Sequence, residues 1–293
     1  MVMFSGNIGR IRNGIILNCK WNKYFKVVLK KGENKIANRK NKVIKRHIGE
    51  TRFNNLGTQM KIVDYRNNDD LDIEFQDSHK YVKEHQTYSN FKAGTVKNPY
   101  DITVCGVGYI GHGKYVVSKN KIHTEAYESW RGMMLRCYHK AKCFKTYTDI
   151  VTVNPIWHDF QNYADWYYKN KYLVNERLHL DKDILNPLCK EYAPQNCLLV
   201  PQRINLLFSN KPNNRGLPNG IYHNGKGYSA KYAGENIGSY NSLDEAYFHY
   251  TKAKEDAIKR IANEYIDIIP DKVYQALMNY EQKIEYDKNY KSA

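Results

Sequence analysis

From Gly220 onward the chain spells out three short strands and a helix, an order that few small folds accept. Gly220-Ile221-Tyr222, Gly227 to Tyr232 and Ile237 to Tyr240 are strand-like, and Asn224-Gly225 and Gly234-Glu235-Asn236 separate them. Asn-Gly and similar pairs accept the positive φ of tight hairpin turns. Ser242 and Glu245 then stand at capping-box spacing, and Ala246, Tyr250, Ala253, Ala257 and Ile261 recur on one helical face. Pro270-Asp271 opens a last helix with Val273, Leu277 and Tyr280 apolar, a surface suited to oligomer contact.

Upstream, Thr124 can cap a helix running to about Tyr138, with Tyr127, Trp130, Met134 and Cys137 on one face. Trp157, Phe160, Ala164 and Tyr167 mark a second amphipathic helix. Aromatic stripes at this spacing are core more often than base-stacking platforms, and both are read as core. Gly106, Gly108, Gly111 and Gly113 look like a phosphate loop only superficially, because no Lys-Ser/Thr pair follows and tyrosines interrupt. Close backbone packing at a turn is expected there instead.

Nearer the N-terminus, the strand Met60 to Tyr65, the turn Asn67 to Asp70 and the strand Leu71 to Phe75 predict a hairpin. Phe91, Gly94 and Asn98-Pro99 close that unit, whose expected form is a small β-barrel or curled sheet. Ile15 to Leu17 and Tyr24 to Leu29 are strand-like, and Lys35 to Arg46 is a basic arm or a solvated linker. The expected fold class is α+β in several modules: a basic β segment at 1–48, a β-rich module at 49–110, a middle module at 111–210 and a sheet-helix module at 211–293.

The 293 residues suffice for two or three domains. A net charge of +16 and a pI near 9.3 favour a polyanionic partner, nucleic acid or an acidic protein surface, and exclude an acidic DNA mimic. Lys, Asn, Ile and Tyr are also the residues of A/T-rich codons, which makes genomic bias the bland alternative for part of that charge and for the excess of 26 Tyr over 9 Phe. No run approaches the roughly 18 apolar residues that span a bilayer. Met1 to Arg12 lacks the apolar core of a signal peptide. The six cysteines form no C-x-x-C pair, so free thiols in a reducing cytoplasm are expected. A zinc site from Cys137, Cys143, Cys189 and Cys197 would have spacings unlike those of a knuckle.

Leu178-His179-Leu180-Asp181-Lys182-Asp183, followed by Asn196-Cys197-Leu198-Leu199-Val200-Pro201 and Asn205, resembles the core of HNH (ββα-metal) nucleases. The resemblance implies a strand, a loop, a second strand and a helix that together present a general base and a divalent ion. It puts Asp181 and Asn205 at the metal ligands, Asn196 at the loop brace, and Mg2+ as the cofactor if the site is active. Position 182, where the base His belongs, holds Lys. An ammonium cannot take a proton from water without a large pKa depression. His179 lies three positions earlier, and strand alternation points it away from Lys182. The expectation is therefore a nuclease scaffold without hydrolysis. Activity, if retained, would be metal-dependent nicking, and a plainer role for Asp181 and Asp183 is pairing with Lys and Arg.

The run from Gly220 to Lys254 resembles an APETALA2-type DNA-binding domain, three antiparallel strands packed on one helix, which also occurs fused to HNH homing endonucleases. In that family the sheet enters the major groove, which makes Tyr222, His223, Lys226, Tyr228, Lys231 and Tyr240 candidate contacts. Arg and Trp readers are thin, so phosphate contact is expected over base readout. The two resemblances cover roughly 124–280, and their combination is similar to phage proteins. They imply a cytoplasmic protein of the infected bacterial cell that binds double-stranded DNA and no membrane. A second class of function fits the same residues: a counter-defence inhibitor that binds a host anti-phage nuclease complex as a homo-oligomer, through tyrosine-rich interfaces. Steep salt dependence marks the first; a stable oligomer without DNA affinity marks the second.

Overall fold

The computed structural model describes residues 46–139, 150–209 and 212–290. The strands expected within 1–45, most of the basic arm, and Cys143 lie outside them. The protein is α+β, and its chain divides into two compact units, Met1–Asn98 and Pro99–Ala293.

In the first unit β1 (Thr51–Phe53), β2 (Gln59–Asn67), β3 (Asp70–Phe75) and β4 (Val82–Gln86) form an antiparallel sheet in sequence order. Alternation fixes the register: Met60 faces Phe75, Ile62 faces Ile73 and Tyr65 faces Leu71, and all six are buried. The sheet is open, so the barrel of the expectation does not form. Helix α1 (Tyr88–Ala93) lays Phe91 on that core, capped by Thr87, which accepts from Asn90 N, and ended by Gly94 at φ 69. On the other face Arg66 crosses from β2 to clamp Asp64, Asp70 and Asp72. His47 stacks on Tyr65 at 4.7 Å, so the boundary expected at 48/49 runs through a packed contact. The boundary expected at 110/111 falls instead at 98/99.

The second unit opens with the tight turn around Gly106 and Gly108. A Cβ at Gly108 would come within 2.7 Å of Met134 Cε and 3.0 Å of the Trp130 ring, which is the close approach expected of the glycine stretch. After a two-residue hairpin, β5 (Ser118–Lys119) with β6 (Ile122–His123), Thr124 accepts from Tyr127 N and starts α2 (Glu125–Tyr138). β7 (Thr152–Val153) and a 3-10 turn, Pro155–Trp157, lead into α3 (Phe160–Asn170). Trp157 belongs to that turn and not to the helix, because Asp159 caps the helix after it. Trp130, Trp157, Phe160 and Tyr163 are all fully buried or nearly so, and Trp130 Nε1 donates to the Trp157 carbonyl at 2.7 Å.

Next come β8 (Leu178–Asp181), β9 (Glu191–Tyr192), which pairs in parallel with β7, β10 (Leu198–Pro201) and the short α4 (Gln202–Leu207). The C-terminal part holds β11 (Ile221–Asn224), β12 (Gly227–Tyr232) and β13 (Glu235–Tyr240), an antiparallel meander backed by α5 (Leu243–Glu264), with α6 (Asp271–Met278) beyond. Ser242 accepts from Glu245 N at 3.2 Å, as the capping box requires.

Helix α5 spans 22 residues and two cores. Its first turns put Ala246, Tyr247 and Tyr250 against Ile221 and Ala230 of the sheet. Its last turns put Ile258, Ile261, Ala262 and the following Tyr265 against Leu198, Val200 and Ile204. The boundary expected at 210/211 therefore cuts through one hydrophobic cluster, and 99–293 is a single unit. Val273 and Leu277 of the last helix, with Tyr280 two residues past its end, fill that same cluster, so this apolar surface is spent inside the chain and not on an oligomer contact. No helix among the described residues is long and apolar enough to cross a membrane.

Candidate functional site

The segment 178–209 is an antiparallel strand pair followed directly by a helix. Leu198 pairs with Asp181, Leu199 with Leu180, Val200 with His179 and Pro201 with Leu178. The hairpin is apolar on both sides: Leu178, Leu180 and Leu199 join the α2–α3 core, while Leu198 and Val200 join the α5 core. Pro201 offers α4 no side-chain cap. Glu176 substitutes, one carboxylate oxygen accepting from Arg203 N at 3.0 Å and the other from the Tyr265 hydroxyl at 2.5 Å. Asn196 holds the end of the connecting loop by donating from Nδ2 to the Glu191 carbonyl at 3.3 Å.

Asp181 and Asn205 both line a cleft of about 1160 Å3 and a neighbouring cavity of about 320 Å3. Carboxylate oxygens at this end of the strand pair are already engaged. Asp181 Oδ1 accepts from the backbone N–H groups of Asp183 and Ile184, both at 2.8 Å, which makes it the anchor of a turn. The next carboxylate, Asp183, is bound by the Lys182 ammonium at 2.5 Å. A hard cation needs several oxygens turned toward one point. Here one oxygen is held by the backbone and another by a lysine.

Lys182 is buried at 5 % exposure. Its ammonium donates to Asp183 Oδ1 and to the Cys189 carbonyl at 2.8 Å, and lies 5.9 Å from the centre of the Tyr192 ring. It lies one residue past the end of β8, so strand alternation does not set its direction. Lys182 is thus a structural cation tying the first turn of the loop to its far side. His179 Nε2 is buried and lacks a hydrogen-bond partner among the described residues. Burial first, then the nearby Arg177 and Arg136, hold its pKa below the ordinary imidazole value, so it is neutral at pH 7.

Burial raises the Asp181 carboxyl to about 6, helped by the adjacent Asp183 charge. The folded protein therefore takes up this proton between about 6 and the ordinary 3.8, where the unfolded chain does not. The contribution of Asp181 to stability grows as the pH falls through that window and is lost as it rises. In urea unfolding from pH 7 to pH 4, wild type is expected to gain on Asp181→Asn. A constant gap between the two would refute the assignment.

The cysteines are packing groups. Burial pushes the Cys137 thiol up to about 11 and the Cys197 thiol upward as well, which opposes the thiolate that zinc requires. Among the described residues, the one set of His, Cys, Asp or Glu whose ligand atoms converge is Asp70, Asp72 and His85, and there the Arg66 guanidinium already neutralises both carboxylates.

The C-terminal sheet divides the six candidate contacts. Tyr228, Tyr240, Ile237 and Tyr232 pack against the α5 side, with Tyr240 stacked on His249 at 4.5 Å. Tyr222, paired with Ser229, and Lys231 occupy the opposite face, where the Asn224 side chain also donates to Ser239. There the Tyr222 ring lies 4.5 Å from the Arg215 guanidinium and 5.4 Å from the Lys231 ammonium. His223 and Lys226 are exposed at the β11–β12 hairpin, His223 against Tyr228 at 5.3 Å.

Two residues of this region escaped the sequence reading. Arg215 lies in an irregular stretch before β11, and no periodicity marks it. Lys254 is buried within the apolar stripe of α5, and its place four residues from Tyr250 and from Ile258 was the available signal. No family model matches the chain, and no curated protein or solved structure matches it either.

Proposed function

We propose that this is a phage DNA-binding protein built on a degenerate homing-endonuclease scaffold, without nuclease activity. The observation that carries it is the open face of the C-terminal sheet, where Arg215 and Lys231 flank Tyr222. Two fixed cations on an exposed sheet suit neighbouring phosphates, and the +16 charge of the chain supplies a long-range field. Catalytic silence rests on Lys182, which is consumed in the loop, and on the carboxylate oxygens already engaged at Asp181 and Asp183. In this reading the strand pair and α4 are the remnant of an HNH core, the sheet with α5 is an APETALA2-like module, and Tyr228 and Tyr240 support the sheet from behind.

The test is titration of labelled duplex DNA at two salt concentrations with Mg2+ present. Binding without nicking is expected. Arg215→Ala combined with Lys231→Ala should weaken binding of all sequences alike and reduce the slope of log affinity against log salt by about 2. An unchanged slope removes the sheet face from the interface, and nicking overturns the silent scaffold.

A second reading has its own observation. Leu173 is 93 % exposed, and Ile122, Leu188, Leu206 and Phe248 are exposed too, which leaves apolar side chains available to a protein partner. It makes the protein a counter-defence inhibitor of a host nuclease complex. A stable homo-oligomer by light scattering together with negligible DNA affinity at physiological salt would select it.

A further inference from the structure

The cavity of about 320 Å3 between α4 and the C-terminal segment contains a cation that the described residues around it do not satisfy. We propose that this cavity binds a small oxyanion, a phosphate or carboxylate group, through the ammonium of Lys254 with Lys288 on the same wall. The proposal is independent of the DNA-binding reading, because neither lysine belongs to the sheet face or to the nuclease-like strand pair.

Lys254 projects from the core face of α5 and is 9 % exposed. An ammonium carries three donors. Among the described residues its hydrogen-bond partner is Gln282 Oε1 at 2.6 Å, and that oxygen also accepts from the Tyr280 hydroxyl at 3.1 Å. Gln282 cannot turn to offer more. Its Nε2 donates to the Tyr247 hydroxyl and the Lys283 carbonyl, and its backbone N–H is held by Glu255. The nearest helpful charge, Asp287, is committed to the Asn219 and Asn289 backbone N–H groups. Burial outweighs it and lowers the Lys254 pKa to about 8, so the group is still cationic at neutral pH.

Two carboxylates line the cavity and would repel an anion if free. Asp181 is turned to the backbone N–H groups of its own turn, and Asp183 is neutralised by Lys182. An apolar side chain at 254 would fill the helix face without a desolvation cost. A bound oxyanion supplies the missing acceptors as charge-assisted hydrogen bonds.

The test is thermal unfolding of the full chain at neutral pH in inorganic phosphate, in acetate, and in chloride at equal ionic strength, for wild type and Lys254→Met. Wild type should show a saturable rise of about 4 °C at ten times the dissociation constant, absent in chloride and absent from the variant. A rise in phosphate alone assigns a phosphoryl ligand; a rise in acetate as well assigns a carboxylate. Acetylation of wild-type amines read by mass spectrometry is the second measurement. Phosphate or acetate should slow modification of Lys254 several-fold while exposed Lys226 is unaffected. Equal shifts in all three salts, a shift that persists in Lys254→Met, or no protection of Lys254 overturns the proposal. If Lys254→Met does not fold, the protection result decides.

Discussion

Lys182→Ala is expected to unfold the strand-pair region, at a cost of about 3–5 kcal/mol, and to leave no hydrolytic phenotype to measure. The ammonium joins the Asp183 carboxylate to the Cys189 carbonyl beneath the Tyr192 ring, and truncation strips all three of their partner. Asp183 keeps about a third of its side-chain surface, so water relieves part of the loss there. The Cys189 carbonyl and the vacated volume are not relieved in this way. Denaturant unfolding followed by tryptophan fluorescence measures the cost. The decisive comparison is Lys182→Met with Asp183→Asn, which removes both charges and keeps most of the volume. It should recover more than half of the loss, because a matched pair of buried charges contributes little beyond what each costs alone. If Lys182→Ala is as stable as wild type, the lysine is not structural and its role reopens.

Gly220→Ala is expected to cost about 3–4 kcal/mol and to remove, along with the sheet, the DNA binding proposed for it. Gly220 has φ +80, and a Cβ there would come within 2.2 Å of the Tyr250 ring and 2.7 Å of the Lys231 carbonyl. The ring could shift, but the carbonyl belongs to the strand that Gly220 itself bonds, since Lys231 N donates to Gly220 O at 2.8 Å. Gly216 separates strain from collision. It has φ +71 with nothing within 4 Å, so Gly216→Ala carries the backbone term alone and should cost about 1 kcal/mol. Equal losses at the two positions would mean that packing against Tyr250 is not what fixes the first strand of the sheet.

These two positions also divide what local sequence specifies from what it does not. Ser242 with Glu245, Thr124 with Tyr127, Gly225 in the β11–β12 turn and the alternation of Leu71, Ile73 and Phe75 act within a few residues. The strands and helices they announce are present. The order strand, loop, strand, helix at 178–207, which was expected only from the resemblance, is present as well. Asp181 and Asn205, which the resemblance pairs, line one cleft.

The fate of side chains facing distant elements was not legible. Tyr228 and Tyr240 were equal to Tyr222 as candidate contacts until α5 took one face of the sheet. Val273, Leu277 and Tyr280 offered an apolar face that a partner could cover, and the second half of α5 covers it within the chain. The boundary at 210/211 was drawn where the motif changes, yet Leu198, Val200 and Ile204 bury themselves on Ile258, Ile261 and Ala262 across it. Lys182 was visible as a lysine, but its lock on Asp183 and Cys189 depends on how the loop closes. The sequence by itself determined which elements form, because capping, turn conformation and periodicity are short-range. Only the tertiary structure decided which polar groups are consumed in packing and which face outward, because burial is shared among elements far apart in the chain.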